Sequence, residues 1–385
     1  MAELRFEEVS RVYPDGSVAV AQLSLHVRNG EVLAMVGPSG SGKSTTLRLV
    51  AGLEPVTSGT ISIGDRVVNR LPPHERNVAM VFEGDSLYPH LTAGDNLRFG
   101  LEMGRVPKPE IDLRVQAESC VLGVARLLGR LPRTLSAGQR QRVAVGRATV
   151  RMPAVFLLDE PLTHLDAVRR DRLRIELTTL QRGMGVTTVW VTHDQAQAMA
   201  IGDRIAVLRR GRLEQVDTPR ALYRRPANTF VASFIGTPGM SLLPATIEPD
   251  GARIAVAGQH LRFPGTPAGP LRRYLGRLVV LGMRPEHVHP VPPGDASDGL
   301  RTLRLTVARV EHLGSQIGVA CAVDAPAVAV PDAGEPLGPG DSAMLYARVP
   351  ARTHVRRGEP IGAEIQVNEL SFFDPDTGAA LWHPA

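Results

Sequence analysis

The chain has 385 residues, enough for two or more domains, and its 43% hydrophobic content is that of a soluble globular protein. Aromatics are only 4%, and the net charge of +5 comes from dispersed arginines rather than a basic tail. A nucleic-acid partner is therefore not expected.

The two cysteines, Cys120 and Cys321, form no metal spacing and no disulfide framework, which fits a reduced, intracellular setting. The opening MAELRFEE has acids where a signal peptide needs an apolar core. No segment approaches the roughly 20 apolar residues that span a bilayer, so the chain is not expected to be a membrane channel itself.

Residues 3–30 alternate as antiparallel strands around a Pro14-Asp15-Gly16 turn. Tyr13, just before that turn, suits a hydrophobic anchor and a purine-stacking platform about equally well.

Val32 to Val36 is an apolar run of strand length, followed by Gly37-Pro38-Ser39-Gly40-Ser41-Gly42-Lys43-Ser44-Thr45 and a helical pattern that stops at Gly52. A run apolar on every side suits a strand buried on both faces of a parallel sheet. The glycines let backbone N–H groups turn around an anion, and the helix presents its positive end to the same anion. Lys43 supplies a compact charge for β- and γ-phosphates, and Ser44 can ligate Mg²⁺. Lys43 and Lys108 are the only lysines among 44 basic residues. A lysine kept inside this loop points to a need for a slender point charge.

Ile61, Ile63 and the Gly64-Asp65 turn predict a hairpin, and Val78 to Phe82 a buried strand ending at Glu83. From about 95 to 150 the pattern is helical, with apolar spacing at Leu122, Val124, Leu127 and Leu128 before Pro132. Ser136, in Leu135-Ser136-Ala137-Gly138-Gln139, suits a helix N-cap, and the N-terminus behind it could face an anion.

Val155 to Leu158 form a central strand with Asp159 and Glu160 at its C-terminal end, the edge where open α/β sheets bind ligands. Asp159 is placed to hold Mg²⁺ through its water shell, and Glu160 to take a proton from an attacking water. Thr187 to Thr192 is another such strand, which puts His193 on the same edge. Beyond about 235, Gly and Pro become frequent. Short strand-like runs recur at 277–281, 303–310, 317–323 and 344–349, which reads as a smaller all-β region of barrel type.

The order of phosphate loop, LS-x-GQ signature, acidic strand end, Leu165-Asp166 and strand-end His193 resembles an ABC transporter ATPase. The phrases RVYPDGSVAV, LYPHLTAGDN, GQRQRVAVGRA, VTHDQAQAMA, DTPRALYRRPANTFVASFIG and LGMRPEHV are similar to the ATPase subunits of bacterial carbohydrate importers, such as the maltose, trehalose, multiple-sugar and glycerol-3-phosphate systems. The resemblance implies an α/β ABC ATPase domain over 1–235 with a helical subdomain at about 95–150, then an all-β OB-like regulatory domain over 236–385.

It further implies ATP as substrate with Mg²⁺. Tyr13 would stack on adenine. Ser39, Gly40, Ser41, Gly42, Lys43, Ser44 and Thr45 would hold the triphosphate, with Ser44 on the metal. Glu160 would be the general base, and His193 would contact the γ-phosphate. Ser136, Gly138 and Gln139 would face the ATP of a second subunit in a head-to-tail homodimer, and Asp166 would couple the two sites.

The groove near 83–92 would receive a membrane-spanning permease pair at the cytoplasmic face of the cell membrane, served indirectly by an extracytoplasmic solute-binding protein. A polyamine or anion importer is the alternative within transport, and a soluble ABC-type switch the alternative outside it. Two positions depart from the family: Glu83 stands for a metal-holding glutamine, and Ala137 for the signature's usual first glycine. A carboxylate at 83 can still ligate Mg²⁺, at the cost of a negative charge beside the γ-phosphate. Ala137 is strained only if its backbone needs a positive φ.

Overall fold

In the computed structural model, residues 2–84, 87–163, 166–263, 265–291, 300–332 and 342–383 are described. Asp85 and Ser86 of the expected permease groove, and Leu165 of the Leu165-Asp166 pair, lie outside them. The chain divides into two compact units, Met1–Pro219 and Arg220–Ala385.

In the first unit, β1 (Leu4–Val12) and β2 (Val18–Val27) pair antiparallel across the Pro14-Asp15-Gly16 turn. The Asp15 carboxylate accepts from Ser17 N at 2.9 Å to close that turn, and Gly16 takes φ 84°. β3 (Val32–Val36), buried at every residue, runs through the glycine loop into α1 (Lys43–Ala51), which ends at Gly52 with φ 76°. β4 (Ser58–Ile63) and β5 (Arg66–Val67) are the expected hairpin and complete an antiparallel sheet of order β2-β1-β4-β5.

Next come β6 (Val78–Val81), α2 (Ala93–Met103), α3 (Lys108–Val121), α4 (Ala137–Thr149) and β7 (Val155–Asp159). After them come α5 (Ala167–Met184), β8 (Thr187–Val191), α6 (Gln195–Ile201), β9 (Arg204–Arg209) and β10 (Arg212–Asp217). The second sheet has the order β10-β9-β3-β8-β7-β6, parallel except for the β9–β10 hairpin. β7 and β8, like β3, are buried at every residue, as their unbroken apolar runs require. Leu47, Leu49 and Val50 of α1 are fully buried in one core with Leu4, Phe6 and Val20 of the first sheet and Leu33, Met35 and Leu157 of the second.

Register positions the site. Met35 pairs with Val191, and Val191 with Asp159, so β3, β8 and β7 end at one level. The loops that leave them must open onto the same edge.

The helical stretch is less continuous than its composition predicts. Among the described residues, 122–136 form 3-10 turns at Ala125–Leu127 and Pro132–Thr134, because Gly123 sits at φ 64° and Pro132 cannot donate into a helix. Both helices flanking this region open with reciprocal caps, Thr92 with Asp95 and Ser136 with Gln139. Buried Asn96 accepts from Tyr88 N at 2.8 Å and donates to the carbonyls of Tyr88, Leu91 and Thr92, fixing residues 88–92 on α2.

The second unit opens with α7 (Pro219–Arg224, all but its first residue) and α8 (Thr229–Phe234). Strands follow: β11 (Ser241–Ile247), β12 (Arg253–Val256), β13 (Gln259–Arg262), β14 (Leu278–Met283), β15 (Val288–Val291) and β16 (Thr302–His312). They continue with β17 (Gln316–Pro326), β18 (Ser342–Pro350), β19 (Pro360–Ile365), β20 (Ser371–Phe373) and β21 (Ala380–Trp382). Two antiparallel sheets, β13-β12-β11-β14-β20-β21 and β15-β19-β16-β17-β18, share a core that includes Leu243, Leu281, Val307, Val319, Leu345 and Phe372.

This is the expected β-rich region. It begins at 219/220 rather than at the expected 235/236, because both short helices are tied to it. Ala232 of α8 packs with Val280 and Phe373, and buried Arg284 donates to the carbonyls of Tyr223, Ala232 and Ile235. A helical stretch beside a helical domain gives no compositional sign of that allegiance. Among the described residues, no helix is long and apolar enough to cross a membrane.

Candidate functional site

The three strand ends meet around a cavity of about 350 Å³ lined by Ala19, residues 39–45, Glu160 and His193. The loop depends on glycine at one position above all. Gly42 sits at φ 98°, and a Cβ there would lie 2.3 Å from the Ala19 carbonyl oxygen. Gly42 is also the N-cap of α1, which has no side-chain cap and no acid in its first turn. The first N–H groups of α1 therefore remain available to an anion.

Lys43 is buried, and its ammonium donates to the carbonyls of Gly37 and Pro38, each at 2.9 Å, and to Ser41 Oγ at 3.4 Å. Burial pulls its pKa below the usual lysine value, while the Glu160 and Asp159 carboxylates push it back up. The charge rests on neutral carbonyls that an incoming phosphate would outcompete.

Asp159, 5% exposed, accepts from Ser44 Oγ at 2.9 Å. Burial raises its pKa above the ordinary carboxylate value, with the neighbouring carboxylates of Glu160 and Glu83 adding to the rise; the Ser44 hydrogen bond and Arg48 oppose it. Acidic side chains gathered this way gain from a divalent cation. Paired hydroxyl and carboxylate oxygens are the hard ligands that Mg²⁺ takes, so the residues present fit it. Among the described residues, no group of three or more His, Cys, Asp or Glu side chains is arranged for a metal. Phosphate and water would have to complete the shell.

Glu160 follows β7 in the left-handed region, at φ 47°. A non-glycine residue held there stores about 1–3 kcal/mol of strain, and such strain gathers at working sites. Two anchors hold the turn: Glu160 N donates to Val191 O at 3.1 Å, and Thr163 Oγ1 donates to Glu160 O at 3.0 Å. The carboxylate is then fixed from two sides, by Thr163 Oγ1 at 3.1 Å and His193 Nδ1 at 2.8 Å, both on Oε2. His193 is largely exposed and faces the same cavity. Thr163 is a site residue that motif reading missed. Its only sequence signal is a hydroxyl three residues beyond the second acid.

The remaining expected residues do not line this cavity. Tyr13 is half-buried at the β1 turn, with the Arg11 guanidinium 4.6 Å from its ring centroid. Ser136 and Gln139 satisfy one another: Ser136 Oγ accepts from Gln139 N at 3.3 Å, and Gln139 Oε1 accepts from Ser136 N at 2.9 Å. Gly138 has nothing within 4 Å of where a Cβ would sit. Ala137 is the first residue of α4 and is not among the positive-φ residues, so its replacement of glycine brings no strain. Asp166 caps α5 by accepting from Arg169 N at 3.0 Å. Glu83 is exposed just past β6 and acts on Asp159 through its charge.

Comparison with known proteins agrees with this geometry. The ABC transporter family matches residues 20–163, the MalK OB fold domain residues 236–288, and the TOBE domain residues 281–355. The chain is 42% identical to the sn-glycerol-3-phosphate import ATP-binding protein UgpC of Cupriavidus necator, over 99% of this chain and 100% of that protein. It is 41% identical to the trehalose import ATP-binding protein SugC of Mycobacterium tuberculosis, over 100% of this chain and 99% of that one. It is also 41% identical to the trehalose/maltose import ATP-binding protein MalK of Thermococcus litoralis, over 99% and 100%.

Among solved structures, a dimeric ATP-binding cassette in a post-hydrolysis state with ADP and Pi superposes with a TM-score of 0.51 at 31% identity, over 56% of this chain and 99% of that one. The cbiO1 protein of Clostridium perfringens, part of an ABC transporter complex, gives 0.54 at 27%, over 58% and 90%.

Proposed function

The chain belongs to the ABC transporter family, among the ATP-binding subunits of importers, and on that premise we propose how its residues divide the work of an ATPase that powers carbohydrate import. The observation that carries the proposal is the convergence of Lys43, Ser44, Asp159, Glu160 and His193 on one strand edge around one cavity.

Residues 39–45 wrap the triphosphate with backbone N–H groups, and Lys43 leaves its loop carbonyls for the β- and γ-phosphates. Ser44 and Asp159 hold Mg²⁺, which neutralises charge on the phosphate oxygens. Glu160, fixed by Thr163 and His193, takes the proton of the attacking water, and His193 also reaches the γ-phosphate. Tyr13 stacks on the adenine once the Arg11 contact is exchanged for the base.

One subunit leaves the site open on the side where a second is needed. We assign that role to the Ser136–Gln139 helix start of a second copy packed head-to-tail, with Asp166 coupling the two sites. Gly138 supports this. A glycine inside a helix costs roughly 0.5–1 kcal/mol against alanine, and no neighbour within this chain requires it. A pair of membrane-spanning permease subunits docks near residues 83–92 at the cytoplasmic face, and a solute-binding protein delivers cargo from outside.

Two experiments test this reading. Affinity purification from detergent-solubilised membranes is expected to recover permease subunits with the chain; recovery of the chain alone removes the transport assignment. Tyr13→Ala is expected to weaken ATP binding about 5- to 100-fold, since a base on an aromatic ring is worth about 1–3 kcal/mol. Unchanged affinity by calorimetry would place Tyr13 in the hairpin's packing and nowhere else.

A further inference from the structure

The second unit contains a cavity of about 260 Å³ between α7, the end of β14 and the start of β20. Arg284, 3% exposed, lines it with its guanidinium pinned in place: Nη2 donates to Tyr223 O at 2.7 Å, Nη1 donates to Ala232 O and Ile235 O, and the group lies 3.9 Å over the Tyr223 ring. Its Nε is buried without a partner among the described residues, and so is Nδ1 of His287 on the same cavity. An unpaired buried polar atom costs about 1–3 kcal/mol, so two facing one cavity point to something that binds them.

The rest of the lining narrows the chemistry. Glu369 and Glu286 contribute carboxylates, and Glu286 Oε1 accepts from the Tyr223 hydroxyl at 2.7 Å. Formal charges cancel, with Arg224 and Arg284 against Glu286 and Glu369. An anion would meet two carboxylates and a cation two guanidinium groups, so neither is favoured. Met240 and the Tyr223 ring add an apolar side. Burial also lowers the His287 pKa, against the pull of Glu286 and Glu369, which keeps the ring neutral and able to use Nδ1 either way. Vicinal hydroxyls meet these needs together, since each can accept from an N–H and donate to a carboxylate. The volume far exceeds the ~10–15 Å³ that a single water requires.

We propose that this cavity is a binding site for a small neutral polyol of monosaccharide size, held between Arg284, His287 and Glu369. The site is separate from the ATP cavity and stands on the second unit's geometry alone. Calorimetric titration of the full chain with D-glucose, D-galactose and myo-inositol is expected to show saturable one-site binding of at least one of them. Glu369→Gln and His287→Ala should each weaken it at least tenfold, with ATP turnover at the native level.

No saturable binding of any of the three overturns the proposal and leaves a water-filled cavity. Binding unchanged in both variants places the polyol elsewhere. Saturable binding of inorganic phosphate that these variants abolish would make this an anion site and also overturns it. Native ATP turnover alongside any of these failures separates them from a failure of the ATPase reading.

Discussion

Glu160→Gln is expected to lower steady-state ATP turnover in the assembled complex by about 10²- to 10⁴-fold, the usual contribution of a general base. The amide keeps the shape and can still accept from Thr163, but it cannot take a proton from water. ATP binding should persist or tighten slightly, because one negative charge beside the γ-phosphate is lost. Phosphate release and nucleotide binding on the same preparation check both halves. Turnover at the native rate would put the base elsewhere and reduce the Glu160–His193 pair, 2.8 Å apart, to a structural contact.

Lys43→Ala carries the other large effect, and it falls on binding. Hydrogen bonds to charged groups are worth about 1.5–3 kcal/mol, so ATP affinity should drop roughly 10- to 150-fold by calorimetry at matched Mg²⁺. Turnover should fall with it, since the same ammonium faces the γ-phosphate. Lys43→Arg is not expected to rescue the loss. The ammonium donates to two carbonyls and one hydroxyl inside a tight loop, and a planar guanidinium cannot reproduce that arrangement. An alanine variant with native affinity would mean that the backbone N–H groups alone hold the phosphates.

These two residues were legible in the sequence because each sits where an unbroken apolar run meets a polar motif. Burial on both sheet faces makes such runs central strands, and parallel pairing forces their ends onto one edge; the Met35–Val191–Asp159 register is that rule realised. The β-rich second unit was legible through its alternating runs, such as the in-out pattern of β11.

What escaped reading depends on contacts remote in sequence or on single dihedral angles. Thr163 matters because Glu160 adopts φ 47°, and no local pattern announces that turn. Asn96 fixes residues 88–92 through four hydrogen bonds that only the folded loop brings within reach. The start of the second unit was placed too late because Arg284, sixty residues downstream in round terms, is what fastens α7 and α8 to it. Ala137 shows the converse: a departure from the family pattern turns out mild because the position is ordinary helix.

Glu83 is the departure that still bears on chemistry, since its charge reaches Asp159. The most direct measurement is therefore phosphate release from ATP by the native chain across a Mg²⁺ titration, with Glu83→Gln run beside it. Saturable, Mg²⁺-dependent turnover is expected from both, with the glutamine variant reaching half-maximal rate at a different Mg²⁺ concentration. No phosphate release by the native chain at any Mg²⁺ concentration, with the partner permease present, would contradict the assignment of this cavity as a working ATPase site.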